Sequence, residues 1–266
     1  MSPVFYLQAG GASGVSKVLL IVGDSDGYGP MYSFAGLPSS LPKKAGTFEL
    51  TSLGGCDPTQ AALGFALGAY AFDTYKGTSK PSSETSDNKF ATIVWPEGAD
   101  RSYVQKTSEA TFLVRDLIST PSEDMGPNAL QAAAEALAAL HSGATVSSIV
   151  GDDLLKENYP QIHAVGRAAG DKHAPRLIEI RWGKGKGGKK VAIVGKGVTF
   201  DTGGLDIKPA SAMGKMKKDM GGAAEVLGVS SAPSLENNRK PPNPHKAAPP
   251  KVLAIRQFHS KWPASD

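Results

Sequence analysis

The sequence predicts an α/β protein built as two units. Two observations carry this. Short aliphatic and β-branched runs such as Lys17 to Gly23 and Thr145 to Val150 are interspersed with segments whose apolar residues recur every three or four positions. This patterning persists to Leu227 and is interrupted near mid-chain at Ser119-Thr120-Pro121. At roughly 150 residues per domain, 266 residues suffice for one large or two modest cores. The expected organisation is an N-terminal domain over 1–98, a helical connector over 99–120, a C-terminal unit over 121–229 and a Pro-rich basic tail over 230–266.

In order along the chain, Lys17 to Gly23 reads as a buried strand of a parallel sheet, because a continuous branched-aliphatic run suits burial on both faces. Phe48 to Leu53 is a weaker strand. From Pro58 to Tyr75, Ala61, Ala62, Phe65, Ala69 and Phe72 keep helical spacing, and Asp57 stands where it can cap the first turn. Lys76 to Asn88 reads as an exposed loop, and Phe90 to Trp95 as a strand. Tyr103 to Ile118 is helical until Pro121, whose ring disfavours helical geometry in the residue before it. A second amphipathic helix starts at Pro127 and closes at Gly143, with Thr145 to Val150 as the strand after it. Asp152 to Tyr159 and Ile162 to Ala168 are short helical pieces. Arg176 to Trp182 alternates as a strand, and the turn Gly183 to Lys190 should fold it onto Val191 to Val194 as a β-hairpin. Six prolines between Ser230 and Lys251, with few large apolar residues, make the tail an expected unpacked segment.

Composition removes several classes of function. With 40% apolar residues and a net charge of +4 from 29 Lys plus Arg against 25 Asp plus Glu, whole-chain disorder is excluded. No apolar run reaches the roughly 18–20 residues that span a bilayer, and no secretory leader is expected. A lone Cys56 permits neither an internal disulfide nor a zinc ribbon, so the expected compartment is the cytoplasm. The basic excess sits largely in Lys184 to Lys190 and Arg239 to Lys251, read as solvated clusters, so nucleic acid is not an expected partner. His141, His163, His173, His245 and His259 show no metal-ligand spacing and are read as surface or satisfied histidines.

Chemistry concentrates in VGKGVTFDTGGLDIKP (194–209) and MKKDMGGAA (216–224). Glycines there remove Cβ bulk, so carboxylates on flanking segments can converge on one point, and convergent carboxylates need cations. Three readings remain open from the residues alone. A phosphate loop fits poorly, since Gly197 follows Lys196 where Ser or Thr is needed. A solvated Gly-rich turn is the bland reading. A metal and catalytic loop would use Asp201 and Asp219 as hard oxygen ligands, with Lys196 or Lys208 as a neutral ligand or a fixed charge.

Those two strings resemble the signature of the leucyl aminopeptidase family, the di-metal cytosol aminopeptidases of peptidase family M17. RDLISTPSEDMGP, IVGDDLLKENYPQIHAVGRAAG and APRLIEIRWG resemble family segments in the family order, so the likeness spans about residues 17–228. The resemblance implies a macro-like N-terminal α/β domain, shortened at its start, and an incomplete zinc-peptidase-like α/β sheet domain. It implies that Lys196, Asp201 and Asp219 are metal ligands, with Asp201 bridging two ions, and that Lys208 polarises the scissile carbonyl. The implied activity is release of leucine-type N-terminal residues from peptides with a free N-terminus, using two Zn or Mn ions. Family members are homohexamers, a state not carried over to this chain.

The family's second motif, Asn-Thr-Asp-Ala-Glu-Gly-Arg, does not occur in these residues. After Asp219 the only acids are Glu225, Glu236 and Asp266, and the family-like text stops near Gly228, as in a chain truncated before that motif. The expectation is therefore at most one well-formed metal site, impaired catalysis and an exposed apolar face at Val191 to Val194. The alternative is a non-catalytic binding or assembly protein that keeps the fold.

Overall fold

A computed structural model of the chain describes residues 4–8, 15–20, 31–41, 47–76, 90–183, 190–231 and 252–253. The architecture is mixed α/β, and the chain divides into two compact units between Phe112 and Leu113.

In the first unit β1 (Val4–Gln8) pairs antiparallel with β2 (Val15–Leu20), Val4 opposite Leu20. The parallel sheet expected around Lys17 to Gly23 is thus corrected: the partner is the neighbouring Phe5-Tyr6-Leu7 run, and residues 21–23 lie outside the described residues. A continuous aliphatic run does not by itself distinguish the two kinds of sheet. After α1 (Met31–Phe34) and α2 (Leu37–Ser40), β3 (Thr47–Phe48) lies parallel to β4 (Thr92–Val94), shorter than the strands expected at both places.

Between them runs α3 (Pro58–Gly68), entered as the sequence indicates: Asp57 Oδ1 accepts from the Thr59 and Gln60 backbone N–H groups at 2.9 and 3.1 Å. It stops well before Tyr75, because Gly68 lowers helical stability and the spacing beyond is carried by too few residues to nucleate again. Phe34, Leu37, Ala62, Phe65, Ile93 and Val104 form the core of this unit. Asp57→Ala should cost about 1 kcal/mol of stability, read from urea unfolding, since it orphans two donors of the first turn.

The unpacked tail is corrected at one place. Val252 and Leu253 form β7, antiparallel to β4 with Val94 opposite Val252 and Ile93 opposite Leu253, giving sheet order β3-β4-β7. Val-Leu is a short apolar island whose signal the surrounding prolines dilute. The rest of the expected tail from residue 232, all but Lys76 of the loop expected over Lys76 to Asn88, and all but Lys190 of the basic cluster over Lys184 to Lys190 lie outside the described residues.

The second unit begins within α4 (Arg101–Ser119) and continues through α5 (Pro127–Ala139), β5 (Thr145–Val150), α6 (Asp153–Lys156), α7 (Pro160–Gly166), β6 (Arg176–Arg181), α8 (Ala210–Met213) and α9 (Gly221–Ser231). Leu117, Leu130, Ala134, Leu137, Met220 and Leu227 make its core, against which Ile178 and Ile180 of β6 pack.

Here the expected hairpin is overturned. β6 pairs antiparallel with β5, placing Val146 opposite Ile180 and Ile149 opposite Leu177, and Val191 to Val194 is not in a strand. Cross-strand apolar pairs decide the partner, and β5 offers them. Val191 is 83% and Val194 92% exposed, the exposed apolar face the sequence led us to expect.

Cys56 is buried, and burial followed by the nearby Asp57 charge pushes its thiol above the ordinary cysteine range. The nucleophilic thiolate is thereby disfavoured. Native protein at pH 8 should resist iodoacetamide and react on unfolding, with mass spectrometry as the readout.

Candidate metal centre

Two backbone segments of the second unit meet to build the site. Lys196 lies on the extended segment after Val194, and Asp219 lies in a 3₁₀ turn, Met216–Met220, that runs directly into α9. The Ala223 N–H donates to Lys196 O at 2.9 Å. So close an approach requires glycine on both sides: a Cβ on Gly195 would stand 2.3 Å from Gly222 O, and one on Gly222 2.9 Å from Lys196 N. The result is an ion pair of 2.7 Å between Lys196 Nζ and Asp219 Oδ2.

The second half of the site is a closed loop. The Lys208 N–H donates to Thr202 O at 2.9 Å, and Gly203 between them has φ +91° with no room for a Cβ, which would sit 2.1 Å from Asp206 O. The Gly203 N–H donates to Asp201 Oδ1 at 2.8 Å, leaving Oδ2 to meet Lys208 Nζ at 3.1 Å. Lys196 and Asp201 also act weakly on each other through space.

The charges respond accordingly. The Gly203 N–H first, and the Lys208 ammonium second, hold the Asp201 carboxyl below the usual carboxylate range. The Asp219 carboxylate, through close contact, holds the Lys196 ammonium above the usual lysine range. The four residues singled out in the sequence thus form two ion pairs, Lys196–Asp219 and Lys208–Asp201.

Two carboxylates and two ammonium groups leave this cluster neutral. Among the described residues no group of three or more His, Cys, Asp or Glu side chains is placed to hold a metal ion. His163 instead meets Asp152 at 3.0 Å, and His141 packs on Trp182 with ring centroids 5.1 Å apart. The donor types suit a hard divalent ion. Asp201 and Asp219 supply hard oxygens, and the Asp219 side chain, 15% exposed, already needs a cation beside it. Lys196 would join as a neutral amine by giving up its proton.

Sequence reasoning missed the Gly203 N–H as the group that orients Asp201. The Thr-Gly-Gly string was visible, but only the closed loop shows which N–H turns inward. It also missed Arg176 and His173, which line a cavity of about 530 Å³ that includes Lys196. They belong to segments distant in sequence from the glycine-rich strings.

Two family models match the chain: cytosol aminopeptidase family, catalytic domain, over residues 112–240, and M17 aminopeptidase, N-terminal domain, over residues 7–86. A protein of Sinorhizobium fredii named probable cytosol aminopeptidase is 39% identical over 175 residues, 63% of this chain and 34% of that protein. The crystal structure of cytosol aminopeptidase from Coxiella burnetii matches with a TM-score of 0.71 and 39% identity over 86% of this chain and 46% of that one. The bottromycin maturation enzyme BotP in complex with Mn matches with a TM-score of 0.59 and 26% identity, over 87% of this chain and 50% of that one. The chain thus spans 34% of the length of the Sinorhizobium relative and 46% of the Coxiella protein.

Proposed function

The chain belongs to the cytosol aminopeptidase (M17) family, and on that premise we propose that its residues serve metal-dependent release of N-terminal amino acids from peptides. The observation that supports the reading is the pairing of Lys196 with Asp219 and of Lys208 with Asp201 across the glycine-rich segments. Asp201, Asp219 and Lys196 would hold one divalent ion, Zn or Mn. When bound, such an ion activates water and anchors a substrate amine. Lys208, held by Asp201 at 3.1 Å, would supply the ammonium that meets developing negative charge on a peptide carbonyl oxygen.

The substrates we assign are peptides with a free N-terminus, and the compartment is the cytoplasm. Among the described residues no helix is long and apolar enough to cross a membrane. The domains proposed for this work are the N-terminal domain over 1–98, the connector over 99–120 and the partial catalytic domain over 121–229. A second reading, a binding or assembly protein on the same fold, draws on the exposure of Val191, Val194 and Leu205.

The deciding assay is hydrolysis of leucine p-nitroanilide with added Mn²⁺ or Zn²⁺. Metal-dependent turnover that falls about a hundredfold or more in Lys208→Ala supports the enzyme reading. Folded protein with no turnover above that variant favours the binding reading.

A further inference from the structure

The cavity beside Lys196 carries an arrangement the metal cluster does not use. Its ionisable lining groups are Arg176, His173 and Lys196, and no Asp or Glu is among its lining residues. Lys196 is already neutralised by Asp219. Arg176 is not matched in that way: its Nε donates to Ala174 O at 3.2 Å and its Nη1 to the neutral Gln131 Oε1 at 2.8 Å. Glu135 acts on it only through space, while burial works against its charge. Arg176 is thus a half-buried guanidinium that hydrogen-bonds uncharged oxygens, with further N–H donors available for an anion.

Apolar side chains form the remaining surface. Ile162 and Val165 of α7 and Leu177 of β6 face the same space, and about 530 Å³ lies within the range of sites for small organic ligands. A cation at one place and branched aliphatic walls around it select an amphiphilic anion. A phosphate or sulfate would leave the apolar walls unused, and a hydrocarbon would leave Arg176 unmatched.

We propose that this cavity binds the free carboxylate end of an apolar amino acid or short peptide, the carboxylate on Arg176 beside His173 and the side chain against Ile162, Val165 and Leu177. The site narrows the substrates or products of the activity proposed above to short apolar peptides and their fragments. Its assignment to catalysis rests on that reading, whereas the binding does not.

Isothermal titration of the metal-free full chain separates the two. The probes are N-acetyl-leucine, its amide and N-acetyl-glycine, none of which has a free amine, so failure of the aminopeptidase reading leaves the result intact. N-acetyl-leucine should bind about tenfold or more tighter than its amide, as expected for a charge-assisted bond, and tighter than N-acetyl-glycine. Arg176→Gln should abolish the preference for carboxylate, and Arg176→Lys should retain part of it.

Because Arg176 also ties β6 to α5, a variant outside that network is needed. Val165 is 71% exposed, and Val165→Glu, a surface substitution, should weaken N-acetyl-leucine more than its amide, because the added carboxylate repels only the acid. Equal binding of acid and amide, binding of N-acetyl-glycine as tight as that of N-acetyl-leucine, no binding of any probe, or an acid preference unchanged in both Arg176→Gln and Val165→Glu would overturn the proposal.

Discussion

Gly195→Val should dismantle the metal centre while leaving the first unit folded. The Gly195 and Gly222 backbones meet where even a methyl group would stand 2.3 Å from a carbonyl oxygen. Neither neighbour is the movable end of a side chain, so the two segments must part. Separation breaks the bond from Ala223 N–H to Lys196 O and withdraws Lys196 from Asp219. Overpacking of this kind costs about 1–3 kcal/mol or more. The larger effect is functional: Mn²⁺ binding should fall below detection in calorimetry while α3 and its core retain their signal. Unchanged metal affinity in the variant would show that the close approach does not position Lys196.

Leu117→Ala should produce the largest loss of stability in the second unit, about 2–5 kcal/mol. Leu117 is fully buried between α4, α5 and α9, in the core that also holds Met220, the residue after Asp219. The cavity left behind removes support from the turn that carries Asp219, so metal affinity should weaken with stability. Urea unfolding followed at Trp182, whose indole N–H bonds Ser142 O at 3.2 Å, reads this unit. A change under 1 kcal/mol would show that the site collapses without penalty.

Much of this was legible in the residues. Asp57, Pro127 and Pro121 mark helix ends by local chemistry that tertiary structure did not override, and β5 was bounded as its branched residues suggest. The four site residues were marked by charge and glycine packed into two short strings, and both ion pairs formed among them. What failed was pairing. The partner of β6, the antiparallel partner of β2 and the attachment of Val252 and Leu253 all depend on which strand is nearby in space, and alternation within a strand carries no such information. The Arg176 cavity was hidden for the same reason, since its walls come from α7, β6 and the segment around Lys196.

We propose that Lys196, Asp201 and Asp219 hold a divalent metal ion. Calorimetric titration of Mn²⁺ into the full chain, in two buffers of different ionisation enthalpy, tests it most directly. Mn²⁺ should bind with release of a proton from Lys196, more tightly as pH rises, and binding should disappear in the isosteric Asp219→Asn. Undiminished binding by Asp219→Asn would overturn the assignment of Asp219 as a ligand.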